Sequence, residues 1–401
     1  MRRRDTMTAV GFLGLLAAGL LLLATAFWGG EGQLEHLLKT AWAERDLQVL
    51  LEGAETAANG DLDRDHLFIQ LYGGVQRLTA RRLVEDSVSE NSVVKLSTGA
   101  LNFIDVEGRP AQDEAEANAA GTAAFAQGLQ TLGIPFRFLL APGKIQRETE
   151  LLPTGMAEYS NENADAFLRI LEETGTAYTD LRPLFEETGT YPDWFFRTDH
   201  HWKPEAAFFA WQHLAVLLEE AYGFATDPAL TRADSWEQTV LEDFFLGSQG
   251  KRVGSLYGGT DDLTLYTPKF ATSFTYTCPI YAIDRTGPLQ ESVCFPERTA
   301  QRDWFGANPY TYYAGGDYPQ ASIVNHNHPG GPRILLLRDS FACALTPFLA
   351  LSCSELITID LRHFRGDLME TAAALEPDLV LALYTASSTA HSPLFQFEAT
   401  E

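Results

Sequence analysis

Apolar and polar positions change period in blocks along the chain. "AEANAAGTAAFAQGLQTLGI" carries apolar residues at helical spacing, and "PFRFLLAPGK" after it holds a short continuous apolar run, the mark of a buried strand. "NADAFLRILEETG" returns to the helical period and "AYTDLRP" to a strand. "KPEAAFFAWQHLAVLLEEAYG" predicts a long helix, with Pro204 in its first turn and Gly223 at its end. The rhythm resumes with "RILLLRDS" (strand), "FACALTPFLALSC" (helix), "ELITIDLR" (strand), "GDLMETAAALEP" (helix) and "DLVLALY" (strand). Apolar strands joined by helices predict an α/β fold, a parallel sheet with helices on both faces.

Other stretches interrupt that rhythm. Residues 226–330 have few helical runs and many Gly, Tyr and Thr, and are expected to form an insertion of irregular and β structure. Residues 31–58 have Leu34, Leu37, Leu38 and Trp42 near helical spacing, as in a stalk. A second helix is expected within residues 61–86, and "SVVKLSTGALNFI" reads as a hairpin turning at "STG". The predicted organisation is therefore a membrane segment over 1–30, a stalk and lead-in over 31–110, and an α/β domain over 111–390.

The membrane segment follows from one uncharged stretch. Thr8 to Trp28 is 21 residues without a charge, enough helix to cross a bilayer core of about 30 Å. Arg2, Arg3 and Arg4 precede it and set that end in the cytoplasm, so the remainder is expected outside. A single-pass signal anchor is favoured, because the apolar stretch exceeds that of a cleaved signal peptide; cleavage near Ala24-Thr25-Ala26, giving a secreted protein, is the alternative.

Composition narrows the function. With 45% hydrophobic residues, 401 residues can bury a sizeable core. A net charge of −25 argues against nucleic acid, whose phosphates need clustered Lys and Arg. Four cysteines fall in the exported part: Cys278 and Cys294 flank a plausible hairpin and could bridge it, whereas Cys343 and Cys353 sit too far apart along a helix to pair.

Two short segments carry chemistry. Ser340 stands where a strand ends and a helix begins, outside the carboxyl end of a parallel sheet, where reactive groups collect and backbone N–H groups converge. Helix capping by Asp339 or Ser340 is the commoner use of such residues. "RTDHHW" supplies the rest of a triad: Asp199 and His201 share a face in either an extended or a turning backbone. His201 is then the base and Asp199 its orienting carboxylate, with His200 pointing elsewhere and Trp202 able to pack beside the imidazole. The rival is a metal site of Asp199, His200 and His201, with His326 and His328 in reserve, although adjacent histidines diverge. No nucleotide, flavin or metal motif is present, so no cofactor is implied.

"RTDHHWKPEAA", "LLLRDSFACALTPFLALSCSELITIDLRHF" and "PDLVLALY" resemble the DHHW proteins, membrane-anchored or secreted proteins of Gram-positive bacteria. These are similar in turn to the SGNH-hydrolase-like domain of alginate O-acetyltransferases. The likeness runs from about Asp61 to Tyr384 and takes in "FRFLLAPGK", "DDLTLYTPKF" and "YYAGGDYP". It implies an SGNH-hydrolase-like (flavodoxin-like) fold, with Ser340 as nucleophile, His201 as base and Asp199 as its carboxylate. It also implies transfer or hydrolysis of an acyl group, acetyl first, on a cell-surface polysaccharide. A donor crossing from the cytoplasm would need a separate membrane acyltransferase as partner. The serine follows the Asp-x-His here, the reverse of the usual SGNH order and the order of the alginate-type enzymes. Arg338 replaces the glycine of the usual "GDS", so the oxyanion donors expected are the Ser340 N–H and the loop of Gly315 and Gly316. Trp202, Lys144 and Arg338 complete the expected substrate contacts. Two alternatives stand beside this reading: an inactive glycan-binding scaffold using the aromatic stretch around "TYYAGGDYP", and a metal-dependent hydrolase.

Overall fold

The structure, a computed structural model, describes residues 33–44, 66–104, 110–147 and 150–398, with positions 14, 17, 53, 54 and 57 besides. All of the expected membrane segment but positions 14 and 17, and part of the stalk, lie outside the described residues; among those described, no helix is long and apolar enough to cross a membrane. The chain divides into compact units of residues 1–75 and 76–401. Helix α1 (Gln33–Glu44) belongs to the first, and α2 (Leu67–Leu78) runs from the first into the second.

The second unit opens with β1 (Leu83–Val84), β2 (Val93–Lys95) and β3 (Leu101–Phe103), a three-stranded antiparallel sheet whose β2–β3 hairpin is "SVVKLSTGALNFI". Residues 76–104 fall within the second compact unit. The alternation follows, with α3 (Gln112–Thr131), β4 (Phe136–Ala141), α4 (Ser160–Glu173), β5 (Tyr178–Asp180) and α5 (Pro204–Tyr222). Pro204 begins α5, and Gly223 closes it at φ 73°, a left-handed conformation that costs glycine nothing. Next come β6 (Trp236–Phe245), the short α6 (Ser248–Val253), β7 (Asp261–Pro268), β8 (Phe274–Cys278), β9 (Ile283–Gly287) and β10 (Gln320–Asn325). The chain ends with β11 (Arg333–Arg338), α7 (Ala342–Leu349), β12 (Glu355–Ile359), α8 (Leu368–Leu375) and β13 (Leu379–Thr385).

Eight strands form the main sheet in the order β5-β4-β13-β11-β12-β10-β8-β9. The first five are parallel, and β11 lies in the middle between β13 and β12. Side chains alternate faces along β11. Ile334 and Leu336 join the core built with α5 and α7, whereas Leu335 and Leu337 join the one built with α3, α4 and α8. Each such buried leucine contributes roughly 1.5–3 kcal/mol, so helices are held on both faces.

The expectation of a purely parallel sheet with an appended insertion is corrected here. Strands β10, β8 and β9 extend the same sheet antiparallel beyond β12, and within residues 226–330 β6 and β7 pair apart as a ribbon. Side chains of β8 and β10 alternate buried and half-buried, the pattern of a sheet covered on one face, and a hairpin needs no crossover helix. The Cys278–Cys294 bridge is corrected as well: Cys278 ends β8, Cys294 bridges to Tyr313 through its backbone, and all four cysteines are buried free thiols. Protein purified without reductant should therefore titrate four thiols per chain after denaturation, and its melting temperature should not respond to dithiothreitol; a titre of two would restore the bridge.

Candidate active site

The Ser340 turn leaves the sheet after β11, a strand in its interior whose residues after Arg333 are all buried. Asp339 follows Arg338 and accepts the Phe341 N–H at 3.0 Å through one carboxylate oxygen. Its other oxygen accepts the Thr385 N–H at 3.0 Å and the Ser388 hydroxyl at 2.8 Å. Burial pushes this carboxyl up, against those hydrogen bonds. Asp339 therefore closes a local turn onto Phe341 and moors it to the end of β13, which leaves the Ser340 hydroxyl free to meet another element.

That element is the "RTDHHW" turn. Phe195 and Trp202 form a β-bridge, Phe196 N–H donates to the His201 carbonyl at 3.2 Å, and Lys203 N–H donates to the Trp194 carbonyl at 2.8 Å. The Asp261 carboxylate, at the start of β7, holds the turn from below. It accepts from Arg197 N–H (2.7 Å), Thr198 N–H (2.8 Å) and the Thr198 hydroxyl (2.6 Å). Asp199 Oδ1 then accepts the His201 N–H at 3.1 Å, and its Oδ2 accepts the Ser248 N–H at 2.6 Å.

His201 joins the two halves. Nδ1 lies 2.5 Å from Asp199 Oδ1 and Nε2 lies 2.7 Å from Ser340 Oγ, across 139 positions of sequence. Burial opposes the Asp199 charge, but the two imidazoles and the His201 and Ser248 hydrogen bonds outweigh it and hold the carboxyl well below the usual range. An ionised carboxylate only accepts, so Nδ1 carries the proton and Nε2 presents its lone pair to the serine O–H. This is the arrangement in which a hydroxyl becomes a nucleophile.

The imidazole plane is held by Tyr310, not by Trp202. The Tyr310 ring stacks on His201 at 4.1 Å with 20° between planes. Trp202 is buried against Phe185 and Phe341, and its Nε1–H donates to the Phe341 carbonyl at 2.9 Å. The Tyr310 hydroxyl donates to the same carbonyl at 3.0 Å. One carbonyl beside the nucleophile is thus gripped by the base's neighbour and by the ring that stacks on the base.

The other expected contacts are structural. Lys144 is buried, and its ammonium donates to the Leu101 carbonyl (2.6 Å) and Gln249 Oε1 (2.9 Å), tying the loop after β4 to β3 and α6. Arg338 is buried and bonds Asp317 Oδ1 at 3.0 Å and the Gly316 carbonyl, so it anchors the Gly315-Gly316 loop to the nucleophile strand. Neither side chain is open to a substrate. The backbone N–H groups of Ser340, Gly315 and Gly316 have no hydrogen-bond partner among the described residues. Tyr310, Tyr312 and Tyr313 are buried in the core and present no stacking platform for sugars.

Among the described residues, Asp199, His200 and His201 form the one group whose ligand atoms cluster, within 4.8 Å. Both His201 nitrogens already have protein partners, which suits a triad better than an ion. His326 cannot assist: it bonds Thr275 at 2.9 Å and follows the end of β10 that pairs beside Glu355 and Arg333. That is the opposite edge of the sheet from Ser340, roughly 17 Å away at the rise of a strand.

Sequence reasoning missed Tyr310, Asp261 and Gly247. Asp261 opens "DDLTLYTPKF" and Tyr310 immediately precedes "TYYAGGDYP", but nothing in either stretch singles out these two residues. Gly247 gave no signal at all. A Cβ there would lie 2.2 Å from Asp199 Cβ and 2.6 Å from its Cα, so only glycine lets this loop come close enough for the Ser248 N–H to reach the carboxylate.

Residues 103–242 match the ALGX family profile, described as an SGNH hydrolase-like domain of acetyltransferase AlgX. The fold resembles Bacillus cereus PatB1 at a TM-score of 0.64 and 23% identity, covering 79% of this chain and 99% of that one. A second PatB1 structure, carrying a sulfonyl adduct, aligns at 0.62 and 22% identity with the same coverage. A DHHW family protein from Eubacterium siraeum aligns at 0.60 and 18% identity, covering 80% and 98%. A search of curated proteins gave no match. The chain thus has the SGNH-hydrolase-like fold, in a version with a mixed sheet.

Gly247→Ala should destabilise the protein by about 1–3 kcal/mol through overpacking, because backbone and not a flexible side chain blocks the methyl; a denaturant midpoint equal to wild type would refute that contact. The depressed Asp199 carboxyl stabilises the fold above its ordinary value of 3.8, and that contribution is lost as pH falls through 3.8 toward the folded value. Asp199→Asn should therefore lose less stability than wild type on acidification from about pH 6 to pH 3, as read from melting temperatures.

Proposed function

We propose that this chain is a serine-dependent acyltransferase or esterase that acts on a cell-surface polysaccharide, with acetyl as the acyl group. The observation that carries the reading is the contact of His201 Nε2 with Ser340 Oγ, backed by Asp199 on Nδ1. His201 takes the serine proton as Oγ bonds to the ester carbonyl carbon of the donor. The donor's C–O bond then breaks, its alcohol oxygen takes that proton from His201, and an acyl-serine remains. An incoming sugar hydroxyl or water gives a proton to His201, attacks the acyl carbon, and Ser340 leaves with the proton.

The match of residues 103–242 to an acetyltransferase domain supports acetyl as the acyl group, and the sequence resemblance to alginate O-acetyltransferases implies a polysaccharide acceptor. The apolar segment Thr8–Trp28 behind three arginines supports a single-pass anchor with the α/β unit outside the cytoplasm. Such an anchor cannot itself carry an acyl donor across a bilayer, so a membrane partner would deliver it.

Ser340→Ala and His201→Ala should each lower p-nitrophenyl acetate turnover by about a thousandfold or more, and a fluorophosphonate or sulfonyl fluoride should label Ser340 in wild type. Turnover independent of Ser340 would overturn the reading. Loss of turnover in EDTA with recovery on adding zinc would favour the Asp199-His200-His201 metal site instead.

A further inference from the structure

His200 takes no part in the proton relay, yet it is built into the site. Its ring centroid lies 3.9 Å from that of His201, tilted by 36°. Of the His201 side chain 8% reaches solvent, against 42% for His200, so the open flank of the base is the His200 imidazole. That ring is fixed at one end: Nδ1 pairs with Ser248 Oγ at 3.1 Å, and the Ser248 N–H donates to Asp199 at 2.6 Å. Ser248 thereby sets the triad carboxylate and the His200 ring in one register. His200 Nε2 has no partner among the described residues.

Crowding on its inner sides, with His201 and Lys144 nearby, holds the His200 pKa below the usual histidine range despite Asp199 and Asp317. The ring is then neutral at neutral pH, and Nε2 can donate or accept according to tautomer. In acyl transfer the carbonyl oxygen turns to backbone N–H donors, whereas the alcohol oxygen must touch His201 Nε2 twice, once leaving and once arriving. The flank of the base that is open to the rest of that alcohol is the solvent-facing one, where His200 stands.

We infer that His200 Nε2 hydrogen-bonds a hydroxyl of the acceptor sugar and so favours a polyhydroxy acceptor over water. The inference rests on the acyl-transfer reading of the same site. Hydrolysis and transfer share the acyl-serine, so the ratio of the two reports acceptor binding and is insensitive to a general loss of structure.

The test uses the full chain with p-nitrophenyl acetate as donor, and glycerol or cellopentaose as acceptor, measuring ester product against free acetate. His200→Ala should lower the ester-to-acetate ratio about tenfold, the size of one lost hydrogen bond. His200→Gln, which keeps a hydrogen-bonding group, should recover part of it, and Ser248→Ala, which frees the ring, should fall between. An unchanged ratio in His200→Ala, or no ester from wild type with either acceptor, overturns the inference. Fluorophosphonate labelling separates the two failures. If wild type does not label at Ser340, the triad reading falls and this inference with it; if it labels while the ratio stays constant, only the role of His200 falls. Loss of labelling in His200→Ala would make the residue structural and also overturn the inference.

Discussion

A carboxylate removed from water has to be fully hydrogen-bonded or neutralised, and the buried charge of Asp199 organises everything around the site. Its donors come from two segments, the His201 backbone and ring on one side and the Ser248 backbone on the other. The second segment reaches it only because Gly247 has no side chain. Without that approach the carboxylate would lack a donor, and the imidazole it orients would lack a fixed tautomer.

Under Asp199 lies a second buried carboxylate. Asp261 gathers the N–H groups of Arg197 and Thr198 and the Thr198 hydroxyl, and the Thr198 hydroxyl in turn accepts the Gly247 N–H at 2.9 Å. On the nucleophile side Asp339 does the same for Phe341, Thr385 and Ser388. Each turn is therefore built on its own acidic residue, and the two are locked by the shared Phe341 carbonyl. Inside the molecule, buried acidic residues are a means of holding irregular backbone still.

The sheet explains why these turns can meet. Parallel strands end on one edge, so β11 delivers Ser340 to the same side as the loops that follow β4 and β13. The antiparallel extension through β10, β8 and β9 widens the sheet without contributing to that edge in the same way. What it does contribute is the segment between β9 and β10, which carries Tyr310 onto His201 and the Gly315-Gly316 loop onto Arg338.

Local signals settled much of this in advance. The five parallel strands and the helices between them follow from apolar runs and helical periods, and Pro204 and Gly223 bound α5 where backbone chemistry requires. Asp199 and His201 were readable as a pair because two residues of separation put them on one face, whatever the backbone did. The antiparallel edge was missed because short strands with polar alternate positions look like loops until their partners are known. Tyr310, Asp261 and Gly247 carry no mark that distinguishes them from core tyrosines, surface acids and turn glycines; their roles exist only as distances to residues far away in sequence. The approach of Ser340 to His201 belongs to the same class. Residue type and local period are written into a stretch of chain, whereas a contact across 139 positions depends on how every intervening strand and helix packs.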